Sequence, residues 1–126
     1  MGEATILVVD DEQIVRQTAK SMLERYGYTV LGAENGKVGV DLVRLLADKI
    51  SLVVLDVTMP IMSGEETLRH LRTIKPDVKV ILSSGYNEVE ASRRFTGKSL
   101  VGFVQKPYTA IQLAKAVRAA LEGKVA

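Results

Sequence analysis

At 126 residues the chain is long enough for one domain with one hydrophobic core, and its apolar fraction of 47% and charged fraction of 25% are ordinary for a globular protein. With 17 basic and 15 acidic side chains the formal net charge is +2, too balanced to point to nucleic acid or an anionic membrane as partner. The absence of cysteine excludes disulfides and thiolate metal sites, no apolar run approaches the roughly 18 residues of a membrane span, and the segment MGEATILVVDD lacks the basic start of a signal peptide, all compatible with a cytoplasmic location.

Thr5 to Val9 reads as a buried strand that ends in Asp10-Asp11. From Glu12 the period changes to that of a helix, with Ile14, Val15, Thr18, Ala19, Met22, Leu23 and Tyr26 on its apolar face and Gly27 as its stop. Tyr28 to Ala33 predicts a second strand. Asn35-Gly36 opens a second helix with Val38, Leu42, Leu45 and Leu46 as its core face, and Asp48 to Ser51 forms the exit loop. Leu52 to Asp56 is the most apolar run, a strand buried on both faces with an acid at its end. A turn through Thr58, Met59 and Pro60 follows. Ser63 is the expected N-cap of a third helix, with Glu65 and Glu66 in its first turn and Pro76 just past its end near Ile74.

Val78 to Ser83 predicts a fourth strand, Ser84 to Asn87 a loop, and Glu88 to about Phe95 a more polar helix. Gly102 to Gln105 is a fifth strand, Lys106-Pro107 a turn, and Thr109 caps a final helix to about Leu121, with Gln112 placed for a capping box. Residues 1–126 therefore read as a single domain of five strand–helix alternations without repeat or linker. That pattern predicts an α/β fold, a parallel sheet covered by helices on both faces.

In such a sheet the carboxyl ends of the strands share one edge, where ligands bind. That edge receives Asp10 and Asp11 from the first strand, Asp56 from the third, Ser83-Ser84 from the fourth and Lys106 from the fifth. Asp56 alone reads equally as a turn or capping residue. Three carboxylates gathered in one pocket repel by about 4 kcal/mol per pair at 4 Å and an effective dielectric near 20. One lysine cannot offset that, whereas a hard divalent cation such as Mg²⁺ can, with a phosphate completing its shell. A carboxylate is also a competent nucleophile for phosphoryl transfer.

The segments ILVVDD, LDVTMP with its following glycine, and VILSSG with VQKP together resemble the receiver domain of two-component response regulators, over nearly the whole chain. The resemblance implies a flavodoxin-like, doubly wound five-stranded sheet in the order 2-1-3-4-5. It makes Asp56 the phosphoacceptor and a Mg²⁺ ligand, Asp11 a direct Mg²⁺ ligand, Asp10 a ligand through water, and the backbone carbonyl of Thr58 the third protein ligand. Lys106 becomes the partner of the phosphoryl group, Ser84 the switch hydroxyl with Ser83 as its neighbour, Phe103 the rotating aromatic, and Lys106-Pro107 a cis peptide.

The implied partner is a histidine kinase or histidine phosphotransfer protein, whose phosphohistidine supplies Asp56. Phosphorylation switches the face formed by the fourth helix, the fifth strand and the final helix, which a downstream effector or a second copy in a phosphorylation-dependent dimer would read. The implied role is signalling; the isolated domain would carry out only its own phosphotransfer and dephosphorylation. The stretches SSGY and GFVQKPY are similar to receivers fused to hybrid sensor histidine kinases, so the parent chain is expected to be either such a kinase or a stand-alone receiver.

Other readings were weighed on the same residues. A metal-dependent phosphatase with an aspartyl nucleophile wants an acid two residues after Asp56, where Thr58 stands. A degenerate receiver, serving only as an interaction module, would not need Asp10, Asp11, Asp56 and Lys106 together. His70 lies among Arg69, Arg72 and Lys75 without convergent partners. Arg93-Arg94 and Lys98 read as an exposed charged surface, Tyr26 and Tyr28 as packing residues, and Gly36 with Gly39 lack the spacing of a phosphate loop. Thr58 and Tyr86, each two residues past a site residue, occupy the positions that flank the attacking water in the resembled family. A bulky Tyr86 should slow hydrolysis of the acyl phosphate; the Tyr86→Ala variant is expected to lose its phosphoryl group faster than wild type in a time course of intact mass.

Overall fold

The computed structural model describes residues 4–57, 59, 61–85 and 100–123. Strands β1 (Thr5–Val9), β2 (Thr29–Ala33), β3 (Ile50–Asp56), β4 (Val80–Ser84) and β5 (Gly102–Gln105) pair in parallel in the order β2-β1-β3-β4-β5. Helices α1 (Gln13–Glu24), α2 (Gly36–Leu46), α3 (Gly64–Ile74) and α4 (Ala110–Leu121) cover the sheet. This is the flavodoxin-like arrangement expected. The polar helix expected at 88–95, with Arg93, Arg94 and Lys98, lies outside the described residues.

Each face of the sheet has its own core. Leu7, Val9, Val53, Leu55, Val80 and Leu82 pack with Val40 and Val43 of α2 and Leu68 and Leu71 of α3. Ile6, Val8, Leu52, Val54 and Ile81 pack with Ala19 and Leu23 of α1 and Leu113, Ala116, Val117 and Ala120 of α4. Successive residues of β1, β3 and β4 thus enter opposite cores, which is why these strands are apolar throughout rather than alternating. Each fully buried leucine or isoleucine contributes about 1.5–3 kcal/mol relative to exposure.

The helix ends follow local chemistry. Asn35 Oδ1 accepts from the Val38 N–H at 2.9 Å, Ser63 Oγ accepts from the Glu66 N–H at 3.1 Å, and Thr109 with Gln112 forms the expected capping box. At the end of α1 the Tyr28 N–H donates to the Leu23 carbonyl and the Gly27 N–H to that of Glu24, with Gly27 at φ 89°. That is a Schellman closure, which needs the left-handed residue that glycine supplies.

Several sequence expectations are corrected. Leu45 is 78% exposed, because α2 turns Gly39, Val40 and Val43 inward; Val38, Leu42 and Leu46 do pack against the core, partly buried. Gly39 permits the close approach, since a Cβ there would lie 2.9 Å from Val9 Cγ2. Ile14 is also 78% exposed and Tyr26 is exposed, since Ala19 and Leu23 form the buried line of α1 and Tyr26 falls in its closing turn. Tyr28 does pack on the α1/α4 core. Strand β3 begins at Ile50, inside the expected loop, because Ile50 is buried and pairs with Thr5. Strand β4 starts later than expected and includes Ser84, which pairs with Gln105.

The first turn of α3 lies directly on the end of β3. A Cβ on Gly64 would stand 2.7 Å from the Val57 carbonyl oxygen and 2.9 Å from that of Asp56. These are backbone atoms and cannot rotate away. Gly64→Ala is therefore expected to lower stability by about 1–3 kcal/mol despite alanine's higher helix propensity, read as a lower urea midpoint.

Candidate functional site

Parallel pairing brings the carboxyl ends of β1, β3, β4 and β5 to one edge. Asp10 stands one residue past β1, and its N–H extends the ladder by donating to the Ala33 carbonyl at 3.1 Å. It follows Ile6 and Val8 by the strand period and so shares their side of the sheet, the α1/α4 side. Asp56 follows Leu52 and Val54 onto that same side. Asp10 and Asp56 are only 2% and 4% exposed, while Asp11 is exposed. Asp10 Oδ1 accepts from the Glu12 N–H at 2.9 Å, an Asx-type turn that sends the chain from strand into helix. One turn into α1, Arg16 Nη1 donates to the Asp10 carbonyl at 2.7 Å.

Lys106 arrives from the other end of the sheet. Its N–H donates to the Ser84 carbonyl at 2.7 Å, and the peptide to Pro107 is cis, as the resemblance implies. Its ammonium lies 2.7 Å from Asp10 Oδ2, 3.4 Å from Asp56 Oδ2 and 3.5 Å from Glu12 Oε1. Carboxylate oxygens of Asp10, Asp11 and Asp56 all lie within 4.8 Å of one another. The structure therefore brings together Asp10, Asp11, Asp56 and Lys106. An all-oxygen donor set with two buried members and one exposed member fits a hard divalent cation that keeps part of its water shell, as Mg²⁺ does.

Ser84 and Phe103 lie on the other side of the sheet. Ser84 follows Leu82 by the strand period, Leu82 pairs with Phe103, and both Leu82 and Phe103 belong to the α2/α3 core. Ser84 is buried and Phe103 half-buried. Thr58 and Tyr86 lie outside the described residues. His70 is exposed on α3, away from the strand ends. Sequence reasoning gave no site role to Glu12, Arg16 or Tyr108. The first two follow Asp10 by two and six positions, a spacing that carries meaning only once the Asx turn is known.

The charges explain two shifted ionisations. Burial pulls the Lys106 pKa down, but the hydrogen bond it donates to Asp10 and the charges of Asp56 and Asp10 outweigh it, leaving the ammonium above its ordinary 10.5. Tyr108 is pushed up to about 12, chiefly by burial and then by the charge of Asp10, with Lys106 opposing and Asp56 adding to the rise. A raised folded-state pKa stabilises fully below the unfolded value and is lost as pH climbs through the folded one. Both groups thus favour the folded state below about pH 10 and release that contribution in alkali. Removing one partner from a buried ion pair costs about 3–5 kcal/mol, and solvent reaching the ammonium reduces this. Without divalent cation, Lys106→Met is expected to be about 1–3 kcal/mol less stable than wild type at pH 7. The gap should narrow above pH 10.5 and shrink on adding Mg²⁺, as read from urea midpoints.

Comparison with known proteins agrees with this geometry. The family model for the response regulator receiver domain matches residues 6–118. The sensor kinase CckA of Brucella abortus is 40% identical over 121 residues, which is 96% of this chain and 13% of that protein. The response regulator MprA of Mycolicibacterium vanbaalenii is 32% identical over 92% of this chain and 49% of its own length. The chain thus spans half or less of either relative. Among solved structures, a receiver domain protein from Clostridium thermocellum superposes with a TM-score of 0.88 at 30% identity, covering 96% of both chains. A CheY-like receiver from Methanospirillum hungatei gives 0.85 at 26% identity, covering 95% of this chain and 94% of its own. Matched from β1 into α4, with the strand order and the acidic edge already in view, the chain belongs to the receiver domains of response regulators, the phosphorelay modules of two-component signal transduction.

Proposed function

We propose that residues 1–126 act as one receiver domain in which Asp56 accepts a phosphoryl group from a phosphohistidine. The observation that carries this reading is the Lys106 ammonium lying between buried Asp10 and Asp56, 2.7 and 3.4 Å away, at the common edge of the strands. Asp11 and Asp56 directly, Asp10 through water and the Thr58 carbonyl would hold Mg²⁺, which when bound supplies charge stabilisation to the phosphoryl oxygens. An Asp56 oxygen bonds to phosphorus as the donor's P–N bond breaks, and the electron pair leaves on the imidazole. Lys106 turns from Asp56 toward the phosphoryl oxygens and offsets their charge.

Ser84 then donates to a phosphoryl oxygen, and Phe103 fills the space left on the α2/α3 side. The switch moves only as far as these contacts differ between the two states. Hydrolysis of the acyl phosphate resets it, so the isolated domain is a signalling module whose chemistry is confined to its own phosphotransfer and dephosphorylation. The partner is a histidine kinase or histidine phosphotransfer protein in the cytoplasm. Among the described residues no helix is long and apolar enough to cross a membrane.

The match to a sensor kinase, at 40% identity over 96% of this chain but 13% of that protein, supports a receiver from a hybrid kinase. Autoinducer 1 sensor kinase/phosphatase LuxN of Vibrio harveyi, 29% identical over 83% of this chain and 12% of its own length, points the same way. Incubation with acetyl phosphate and Mg²⁺ should add one phosphoryl mass to wild type and none to Asp56→Asn. No gain in wild type, or equal gain in the variant, would remove Asp56 from the role.

A further inference from the structure

Ser83 carries a hydroxyl that is buried, with the residue 2% exposed, and has no hydrogen-bond partner among the described residues. A buried donor without a partner gives up its hydration for nothing, and alanine would fill the same place without that penalty. The position of this hydroxyl is informative. Ser83 pairs with Asp56 across β3 and β4 and with Val104 across β4 and β5. Matched residues of a parallel ladder project to the same side. Ile81 belongs to the α1/α4 core and Leu82 to the α2/α3 core, so Ser83 returns to the α1/α4 side with Asp10 and Asp56. The two adjacent serines therefore serve opposite sides of the sheet.

We infer that Ser83 is a positioning residue for the phosphorylated site. Its hydroxyl donates to the Asp56 oxygen that is left on the carboxyl carbon once the other has bonded to phosphorus. This inference rests on the reading of Asp56 as phosphoacceptor. In the unphosphorylated protein the Lys106 ammonium is 3.4 Å from Asp56 Oδ2. When the new O–P bond forms, the donor's bond to phosphorus breaks, its electron pair leaves with the donor, and Lys106 follows the phosphoryl charge. The Asp56 oxygen left on the carboxyl carbon gains the serine hydroxyl of the neighbouring strand. That bond is made in the acyl phosphate and not before it, so it favours the phosphorylated state.

The test compares wild type, Ser83→Ala and Asp56→Asn. Thermal unfolding, Mg²⁺ titration by calorimetry, and phosphorylation by acetyl phosphate are followed in each. Ser83→Ala is expected to unfold at the wild-type temperature or above and to bind Mg²⁺ as wild type does. Its half-saturating acetyl phosphate concentration should be unchanged while its maximal phosphorylation rate falls about fivefold, the worth of one neutral hydrogen bond. A wild-type rate in Ser83→Ala overturns the inference. A slower rate accompanied by a lower unfolding temperature or weaker Mg²⁺ binding also overturns it, because Ser83 would then be structural. If wild type gains no phosphoryl group, the phosphoacceptor reading falls and the inference with it. If wild type gains one, Asp56→Asn gains none and Ser83→Ala keeps the wild-type rate, the failure is confined to Ser83.

Discussion

The ammonium of Lys106 holds the site together. It sits 2.7 Å from Asp10 and 3.4 Å from Asp56, two carboxylates that the sheet buries almost completely. Burying a charge costs several kcal/mol unless it is paired, and two buried like charges add their repulsion. One ammonium relieves much of this but not all. When Asp10, Asp11 and Asp56 are ionised, three negative charges face one positive charge, and two remain. That remainder is the charge a divalent cation would offset.

Topology decides which residues share that edge. A parallel sheet in the order β2-β1-β3-β4-β5 puts β1 and β3 side by side at its centre, so Asp10 and Asp56 become neighbours although 46 positions separate them. Strand β4 separates β3 from β5, and the lysine stem spans that gap. The same alternation divides β4. Ser83 goes to the side of the acids and Ser84 to the side of Phe103, so neighbouring serines of one strand enter opposite layers. Gly64 closes the arrangement by letting α3 start against the carbonyls of Asp56 and Val57.

Much of this was legible in the chain. The runs ILVV, LVVL and VIL announce strands covered on both faces, and the acids follow the first two directly and the serines the third. Caps were equally readable at Asn35, Ser63 and Thr109, where side-chain chemistry is local. What the sequence hid depends on neighbours distant in the chain. Leu45 fits the helical stripe of Val38 and Leu42, which do pack on the core, yet it faces solvent because Gly39 lets α2 approach β1 closely. Ile50 looked like loop until Thr5 paired with it. Ser84 looked like the start of a loop, but Gln105 keeps it in the sheet. Glu12, Arg16 and Tyr108 were silent because their relevance comes from distances to Asp10 and Lys106 rather than from spacing.

A site with one cation shared between two acids has a built-in asymmetry. Asp10 holds Lys106 at 2.7 Å and makes a further hydrogen bond to the Glu12 N–H, while its carbonyl is bound by Arg16. Asp10 is thus fixed from three directions, and its carboxylate is already committed. Asp56 has the longer and weaker share of the lysine at 3.4 Å. The backbone turn after β1 therefore ties Asp10 down and leaves the longer lysine contact to Asp56.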